Sequence, residues 1–234
     1  MDAALTRDLA SGKYAFIDGG CADGASLDHC ERRFGKRPGL GLDWYGADLE
    51  VARRRGFAVA HCNVMAEEYP PRCVSYASML DFLEHLPDEA SAVTVMRKLA
   101  AAAQDFIFIR HPGFDDIDYL AGFGLKLTWT DWPSHTNMMK IADYRRVFAA
   151  LGWSDYVVLP HMRIADSRHP AIVPASAAPD TQHYDATRHG PKPEVRFDRA
   201  IYAKYDIFVR LSSSFDDETW RRTASIDGWE GIWV

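Results

Sequence analysis

The chain lacks the marks of several protein classes. It contains no stretch of about 18 uninterrupted apolar residues, which excludes a transmembrane helix, and we expect no secretory signal because no apolar run stands near its start. Its 27 lysines and arginines are outnumbered by 33 aspartates and glutamates, giving a net charge of −6. That balance argues against a general binder of nucleic acid or of an acidic membrane. We therefore expect a small-molecule partner, with no nucleic acid and no membrane, and homo-oligomerisation is left open.

Cysteine is scarce as well. The four cysteines fall in the first third of the chain and form no C-x-x-C pair: Cys21, Cys30, Cys62 and Cys73. This usage predicts reduced thiols, packed as small apolar groups, in a cytoplasmic protein. The histidines show neither H-x-x-x-H nor His-plus-Cys spacing, so no metal site is predicted.

The composition that remains is globular. Apolar residues make up 47% and charged residues 26% of the 234 positions, close to the average of globular proteins. At roughly 150 residues per domain, this length allows one domain with a substantial addition. We expect residues 1–234 to form one domain.

Short apolar runs alternate with amphipathic stretches that end at glycine, which is typical of a parallel sheet with crossover helices. Strands are predicted over residues 14–18, 39–43, 57–62, 74–80, 106–110, 156–159 and 201–211. The segment 160–200 lacks periodicity and predicts a long loop, which we expect to act as a lid over the substrate entrance. Because no crossover helix precedes the last strand, that strand is expected to be antiparallel. The predicted fold is α/β, with a doubly wound seven-stranded sheet.

Ligands of such sheets bind at the carboxyl ends of the strands. After the first strand, Gly20 and Gly24 allow close backbone approach, and the next helix offers N–H donors to an anion. The turn matches neither the G-x-x-x-x-G-K-[S/T] phosphate loop nor the G-x-G-x-x-G dinucleotide fingerprint, which disfavours a nucleotide-dependent oxidoreductase. Asp43 ends the second strand, where a carboxylate accepts ribose hydroxyls. Asn63 follows the third strand and faces a purine edge, unless it is only a turn residue.

Four segments together resemble the class I S-adenosylmethionine-dependent methyltransferases. They read FIDGGCADG over 16–24, GLD over 41–43, CNV over 62–64 and MLDFLEHLPD over 79–88. The last is similar to the Glu-His-Leu-Pro-Asp signature of that family. The resemblance covers about residues 14–159 and implies a Rossmann-like fold with S-adenosylmethionine as cofactor.

The resemblance also implies roles for individual residues. The methionine part of the cofactor would contact Gly20, Cys21 and Gly24, and Asp43 would hold the ribose. The adenine would lie between Trp44 and Val64, with Asn63 at its amino edge and the backbone of Leu80 facing the cofactor. The chain departs from the family pattern at Ala22, where glycine is common, and at Asn63, where aspartate is common.

Methyl transfer mainly requires that the acceptor be positioned, and a base helps only where the acceptor loses a proton. Candidate catalytic bases near strand ends are His85, His111 and His135, although a buried histidine is often purely structural. The nearby Trp129 and Trp132 offer faces to a sulfonium.

We therefore predict a methyltransferase that modifies an O or N atom of a small molecule, such as a sugar or other metabolite. Its cofactor half would span 14–113 and its acceptor half 114–211, followed by a tail over 212–234. The alternative is a non-catalytic domain that binds S-adenosylmethionine or S-adenosylhomocysteine and has lost turnover. Ala22 and Asn63 motivate that alternative, and fold alone does not decide between the two.

Overall fold

The computed structural model of the chain describes residues 3–35, 38–179, 181–213 and 215–225, together with the backbone of 232–233. The strands are β1 Phe16–Gly19, β2 Gly39–Asp43, β3 Ala58–His61, β4 Val74–Leu80, β5 Ala103–Pro112, β6 Leu125–Leu127, β7 Tyr156–Asp166, β8 Ile172–Pro174, β9 Arg196–Arg210 and β10 Ile232–Trp233. The helices are α1 Ala3–Ala10, α2 Ala25–Phe34, α3 Gly46–Arg54, α4 Glu89–Ala102, α5 Ile117–Ala121, α6 Ile141–Leu151, α7 Ala186–His189 and α8 Asp217–Thr223. Two 3-10 helices span Leu83–His85 and Thr128–Asp131.

The main sheet has the strand order β10-β7-β9-β5-β4-β1-β2-β3. β1 to β5 pair in parallel, whereas β9 runs antiparallel between β5 and β7. This confirms the predicted doubly wound α/β sheet, mostly parallel with an antiparallel final long strand. The two-residue strand β10 pairs with β7 and adds an eighth strand within the segment predicted as a tail.

Helices cover both faces of the sheet. On one face α4 and α6 bury Val95, Met96, Leu99, Tyr144 and Phe148 against it. On the other face α2, α3 and α8 bury Leu27, Cys30, Leu49 and Trp220. Each strand end is thereby fixed between two layers of apolar side chains. Among the described residues, no helix is both long and apolar enough to cross a lipid bilayer.

The connection before the last long strand is shorter than predicted. β7 continues to Asp166 and β9 begins at Arg196, so the connection covers residues 167–195 instead of 160–200, and it contains β8 and α7. Both strands extend because Ile164 pairs with Ile201 and the two enter a third apolar cluster. That cluster also contains Leu120, Leu125, Leu127, Ile172, Phe197 and Ala203. The ends of the segment predicted as a loop are therefore packed strands.

Asp88 caps α4, as its sequence context predicts: its side chain accepts a 2.8 Å hydrogen bond from the Ser91 amide. Removing an N-cap acceptor typically costs about 1 kcal/mol. We expect Asp88→Ala to lower the free energy of urea-induced unfolding by about that amount, since a helix amide loses its partner. Asp88→Asn keeps an acceptor and is the control. Equal unfolding midpoints for the two variants would contradict the cap.

Candidate functional site

The predicted cofactor residues meet at the carboxyl edge of β1 to β4. Asp18 on β1 pairs in register with Ser78 on β4, so Gly20, directly after β1, and Leu80, at the end of β4, follow this pair on the same edge of the sheet. Asp43 ends the adjacent strand β2 and Gly24 begins α2. Cys21, Val64 and Leu80 are buried there. The structure therefore gathers these side chains at one edge, while their contacts with a cofactor remain a prediction.

Asp43 is tied to the turn after β1. One carboxylate oxygen accepts a 2.9 Å hydrogen bond from the Ala22 amide, and the other accepts a 2.8 Å bond from the Tyr45 amide. Each oxygen has a second lone pair, which leaves acceptor capacity for ribose hydroxyls. Ala22 has φ 42, in the left-handed region that favours glycine. The departure from the family pattern at this position therefore costs the turn some backbone strain.

The residues predicted to surround adenine differ in their environments. Trp44 and Tyr45 are 78% and 59% exposed, so two aromatic side chains stand beside Asp43 at the surface. The Asn63 side-chain oxygen accepts a 3.0 Å hydrogen bond from the Met65 amide. This bond is that of a turn residue, the alternative kept open for Asn63 above.

Phe82 packs against Gly20, a contact that the sequence does not reveal. A Cβ atom built on Gly20 would lie 2.2 Å from Cδ2 of the Phe82 ring, and Gly20 has φ +77. A Cβ on Gly24 would lie 2.6 Å from Cδ2 of Phe57. These two glycines are therefore required by packing within the protein itself, beyond any approach of a ligand.

Asp18 lies beneath the same turn, fully buried. It accepts a 2.6 Å hydrogen bond from the Ser78 hydroxyl and another from Ser26. Burial raises the pKa of Asp18 from 3.8 to about 7, although both hydrogen bonds act in the opposite direction. Asp18 therefore holds a proton across a pH range in which ordinary aspartates have lost theirs.

This shift makes stability depend on pH. Between pH 3.8 and about pH 7 the folded chain keeps a proton on Asp18 that the unfolded chain has released. The stability that this proton contributes is therefore complete below the unfolded-state pKa and is lost as the pH rises towards the folded-state pKa. The free energy of unfolding of the wild type should fall between pH 5 and pH 7, and we expect this fall to be about 2 kcal/mol smaller in Asp18→Asn. Urea unfolding at both pH values measures it. Asp28→Asn, on the surface of α2, is the control, and identical profiles for wild type and Asp18→Asn would refute the assignment.

The three candidate catalytic histidines cluster at the carboxyl ends of β4 and β5, where His111 is the second-last residue of β5. The rings of His85 and His135 are 4.9 Å apart, and Phe114 packs edge-on between His111, at 5.3 Å, and His135, at 6.0 Å. Each Nδ1 lies near a backbone carbonyl: Ser134 at 3.1 Å from His85, Pro112 at 2.9 Å from His111 and Trp129 at 2.9 Å from His135. A carbonyl only accepts, so each Nδ1 carries the proton and each neutral ring keeps its lone pair on Nε2.

Four hydrogen bonds join residues 83–86 to residues 134–137, and we call this set the clasp. Asn137 donates from its side chain to the Leu83 carbonyl at 3.0 Å and from its amide to the Glu84 carbonyl at 3.1 Å. Thr136 donates to the Leu86 carbonyl at 2.7 Å, and the fourth bond is that of His85 to Ser134. The clasp places His135 beside Glu84 and His85.

Several polar atoms around these histidines are buried without a protein partner. They are Oδ1 of Asp81, Oε2 of Glu84, Nε2 of His111, Nε1 of Trp132 and the Tyr144 hydroxyl. A buried polar group without a partner typically costs about 1–3 kcal/mol. Such a concentration is unusual in a folded protein, and a ligand, an ion or ordered water would supply the missing partners.

Burial sets the charge state of this cluster. It raises the pKa of Glu84 to about 8, with Asp81 adding to the rise. It lowers the pKa of His135 to about 4, with His85 contributing, and that of His111 to about 3. Both of these imidazoles are therefore neutral at pH 7, which makes them lone-pair donors but weak proton acceptors.

Several of these residues escaped sequence reasoning. Phe82 and Glu84 belong to the fourth motif, but nothing local indicates the contact of one with Gly20 or the burial of the other. Asn137 and Tyr144 have no motif at all. Asp81 is held in a left-handed conformation, φ 49, and pairs with Lys204 from β9, a contact that only the sheet topology creates.

One group offers metal-ligating atoms although no metal site was predicted. A carboxylate oxygen of Glu84 and one ring nitrogen each of His85 and His135 all lie within 4.8 Å of one another. Glu84 and His85 are adjacent in the sequence, whereas the clasp brings His135 to them from a distant segment, so no local spacing of ligands marks this group.

Several solved structures with a similar architecture are S-adenosylmethionine-dependent methyltransferases. One from Archaeoglobus fulgidus is similar over 88% of this chain and 91% of its own, with a TM-score of 0.56 and 15% identity. One from Mesorhizobium loti matches 88% of this chain and 96% of its own, with a TM-score of 0.53 and 13% identity. A possible histamine N-methyltransferase from Thermotoga maritima matches 90% and 89%, with a TM-score of 0.52 and 13% identity.

No protein-family model matches the chain. No curated protein matches it. The structural similarity nevertheless defines the class of fold: the chain has the fold of the class I S-adenosylmethionine-dependent methyltransferases. At this level of identity the similarity specifies the fold alone.

Proposed function

We propose that the chain transfers the methyl group of S-adenosylmethionine to an O or N atom of a small molecule. The observation that carries the proposal is the arrangement of His85, His111 and His135. Their rings lie near one another at the carboxyl ends of β4 and β5, on the same edge of the sheet as Gly20 and Asp43, and each ring has its Nδ1 at a backbone carbonyl. Ligands of doubly wound sheets bind along this edge.

The cofactor would lie across the ends of β1, β2 and β4. Asp43 would hold the ribose through its remaining lone pairs, and the exposed ring of Trp44 would cover one face of the adenine, with Val64 opposite. Gly20, Cys21, Gly24 and Leu80 would form the floor under the methionine part. For Asn63 to bind the adenine amino group, its side-chain oxygen would have to accept hydrogen bonds from both that group and the Met65 amide.

The acceptor would lie against the histidines. An imidazole Nε2 accepts a hydrogen bond from an O–H or N–H group, which would orient that atom for in-line attack on the methyl carbon. The low pKa values of His111 and His135 suit orientation better than full proton removal. The net charge of −6 supports a small acceptor over nucleic acid.

Calorimetry followed by a transfer assay tests the proposal. S-adenosylmethionine and S-adenosylhomocysteine are titrated into the full chain, with NAD as the comparison ligand. We expect both sulfur nucleosides to bind and NAD to fail. Transfer of a radiolabelled methyl group is then measured across a panel of hydroxyl and amine acceptors. Failure of both nucleosides to bind refutes the proposal, whereas binding without transfer to any acceptor favours the non-catalytic alternative.

A further inference from the structure

We propose that Glu84, His85 and His135 bind a first-row divalent transition-metal ion, for which Zn²⁺ is the probe. The donor set is two imidazole nitrogens and one carboxylate oxygen, which such ions accept. The three atoms lie within 4.8 Å of one another. This inference goes beyond methyl transfer, and its test does not depend on it. While the metal is bound, the ligating nitrogens of His85 and His135 are occupied, so of the three histidines only His111 remains to accept a hydrogen bond from a methyl acceptor.

The histidines are prepared in the way that metal-ligating histidines are. Each gives its Nδ1 proton to a backbone carbonyl, that of Ser134 for His85 and that of Trp129 for His135. Such an outer hydrogen bond fixes the tautomer and aims Nε2 at the metal. A histidine with a purely structural role would not need another metal-ligating group buried beside its unprotonated nitrogen.

Glu84 supplies the independent observation. It is only 1% exposed, yet its Oε2 atom has no protein partner. A buried carboxylate oxygen without a partner is costly, and the cost is offset either by a proton or by a bound cation, which would displace that proton. Lys204 is near but is engaged by Asp81, so it does not replace such a cation at Glu84.

The geometry requires only a small closure. Metal bonds of about 2.1 Å at tetrahedral angles place ligand atoms about 3.4 Å apart. Glu84 and His135 are buried, whereas His85 is exposed and is held only by its bond to the Ser134 carbonyl at 3.1 Å, so the closure falls mainly on His85. Three protein ligands leave at least one coordination position open.

Titration of Zn²⁺ into the EDTA-treated, dialysed full chain tests the site, with calorimetry as the readout. We expect one equivalent of Zn²⁺ to bind. We expect His85→Asn and Glu84→Gln each to weaken this binding by about tenfold to a hundredfold. His183→Asn removes an exposed histidine elsewhere and is the matched control, expected to bind as the wild type does. Co²⁺ should give a visible absorption band in wild type that His85→Asn loses.

The result is decisive even if one variant misfolds. Glu84 is buried, so Glu84→Gln is first compared with wild type by circular dichroism, whereas His85 is on the surface and its variant should fold. Undiminished Zn²⁺ binding by His85→Asn, or no binding by the wild type, overturns the proposal. The titration contains neither S-adenosylmethionine nor an acceptor, so its failure is distinguishable from failure of the proposed methyl transfer.

Discussion

Gly20→Ala should lower the free energy of unfolding by about 2–5 kcal/mol. Two causes add: a left-handed φ costs an alanine about 1–2 kcal/mol, and forcing extra volume into a packed place costs about 1–3 kcal/mol. The second cause applies because the new Cβ would lie 2.2 Å from the Phe82 ring. Urea unfolding measures the loss.

Two further variants separate these causes. Gly12 has φ +75 but nothing within 4 Å of a built Cβ, so Gly12→Ala should show the conformational cost alone. Combining Gly20→Ala with Phe82→Ala removes the overlap, and the pair should lose less than the sum of the single losses by about 1–3 kcal/mol. Strict additivity would show that Phe82 does not restrict Gly20.

Asp43→Ala should weaken binding of S-adenosylhomocysteine by about 1–3 kcal/mol, which is roughly 5- to 150-fold in the dissociation constant. The proposed cofactor site would lose both ribose acceptors, and the turn after β1 would lose the acceptor of the Ala22 amide. Calorimetry at one temperature and salt concentration gives the dissociation constants.

Asp48→Ala is the matched control, since Asp48 lies on the first turn of the adjacent helix α3. It should bind S-adenosylhomocysteine as the wild type does. Because Asp43 also supports the turn, the unfolding free energy of each variant is measured in parallel. An affinity unchanged within twofold in a folded Asp43→Ala variant would mean that the ribose lies elsewhere.

Elements specified by local pattern were predicted closely. β2 and β4 have the predicted bounds, and α6 ends at Leu151 because Gly152 adopts the left-handed φ of 72. Asp88 caps α4 as predicted. In each of these cases neighbouring residues carry the information, through apolar spacing, a capping carboxylate or a terminal glycine.

Elements that depend on residues far apart in the sequence were not predicted closely. The extension of β7 and β9 depends on pairs such as Ile164 with Ile201, and the Pro- and His-rich composition between them concealed it. The metal-ligating group depends on Asn137, whose two bonds to residues 83 and 84 cross the fold. A single sequence lists such residues but does not show which of them meet.

The clasp also bears on which part of the molecule opens most easily. Its bond from Asn137 to Leu83 joins two connecting segments, whereas the pairing of β1 with β4 lies in the middle of the sheet and is covered by apolar side chains on both faces. Segments with fewer buried apolar contacts open at lower free energy. The sheet strands β1 to β4 are complete before residue 81 and do not need it. We therefore expect His135 to be released from Glu84 and His85 by partial opening while the central sheet persists.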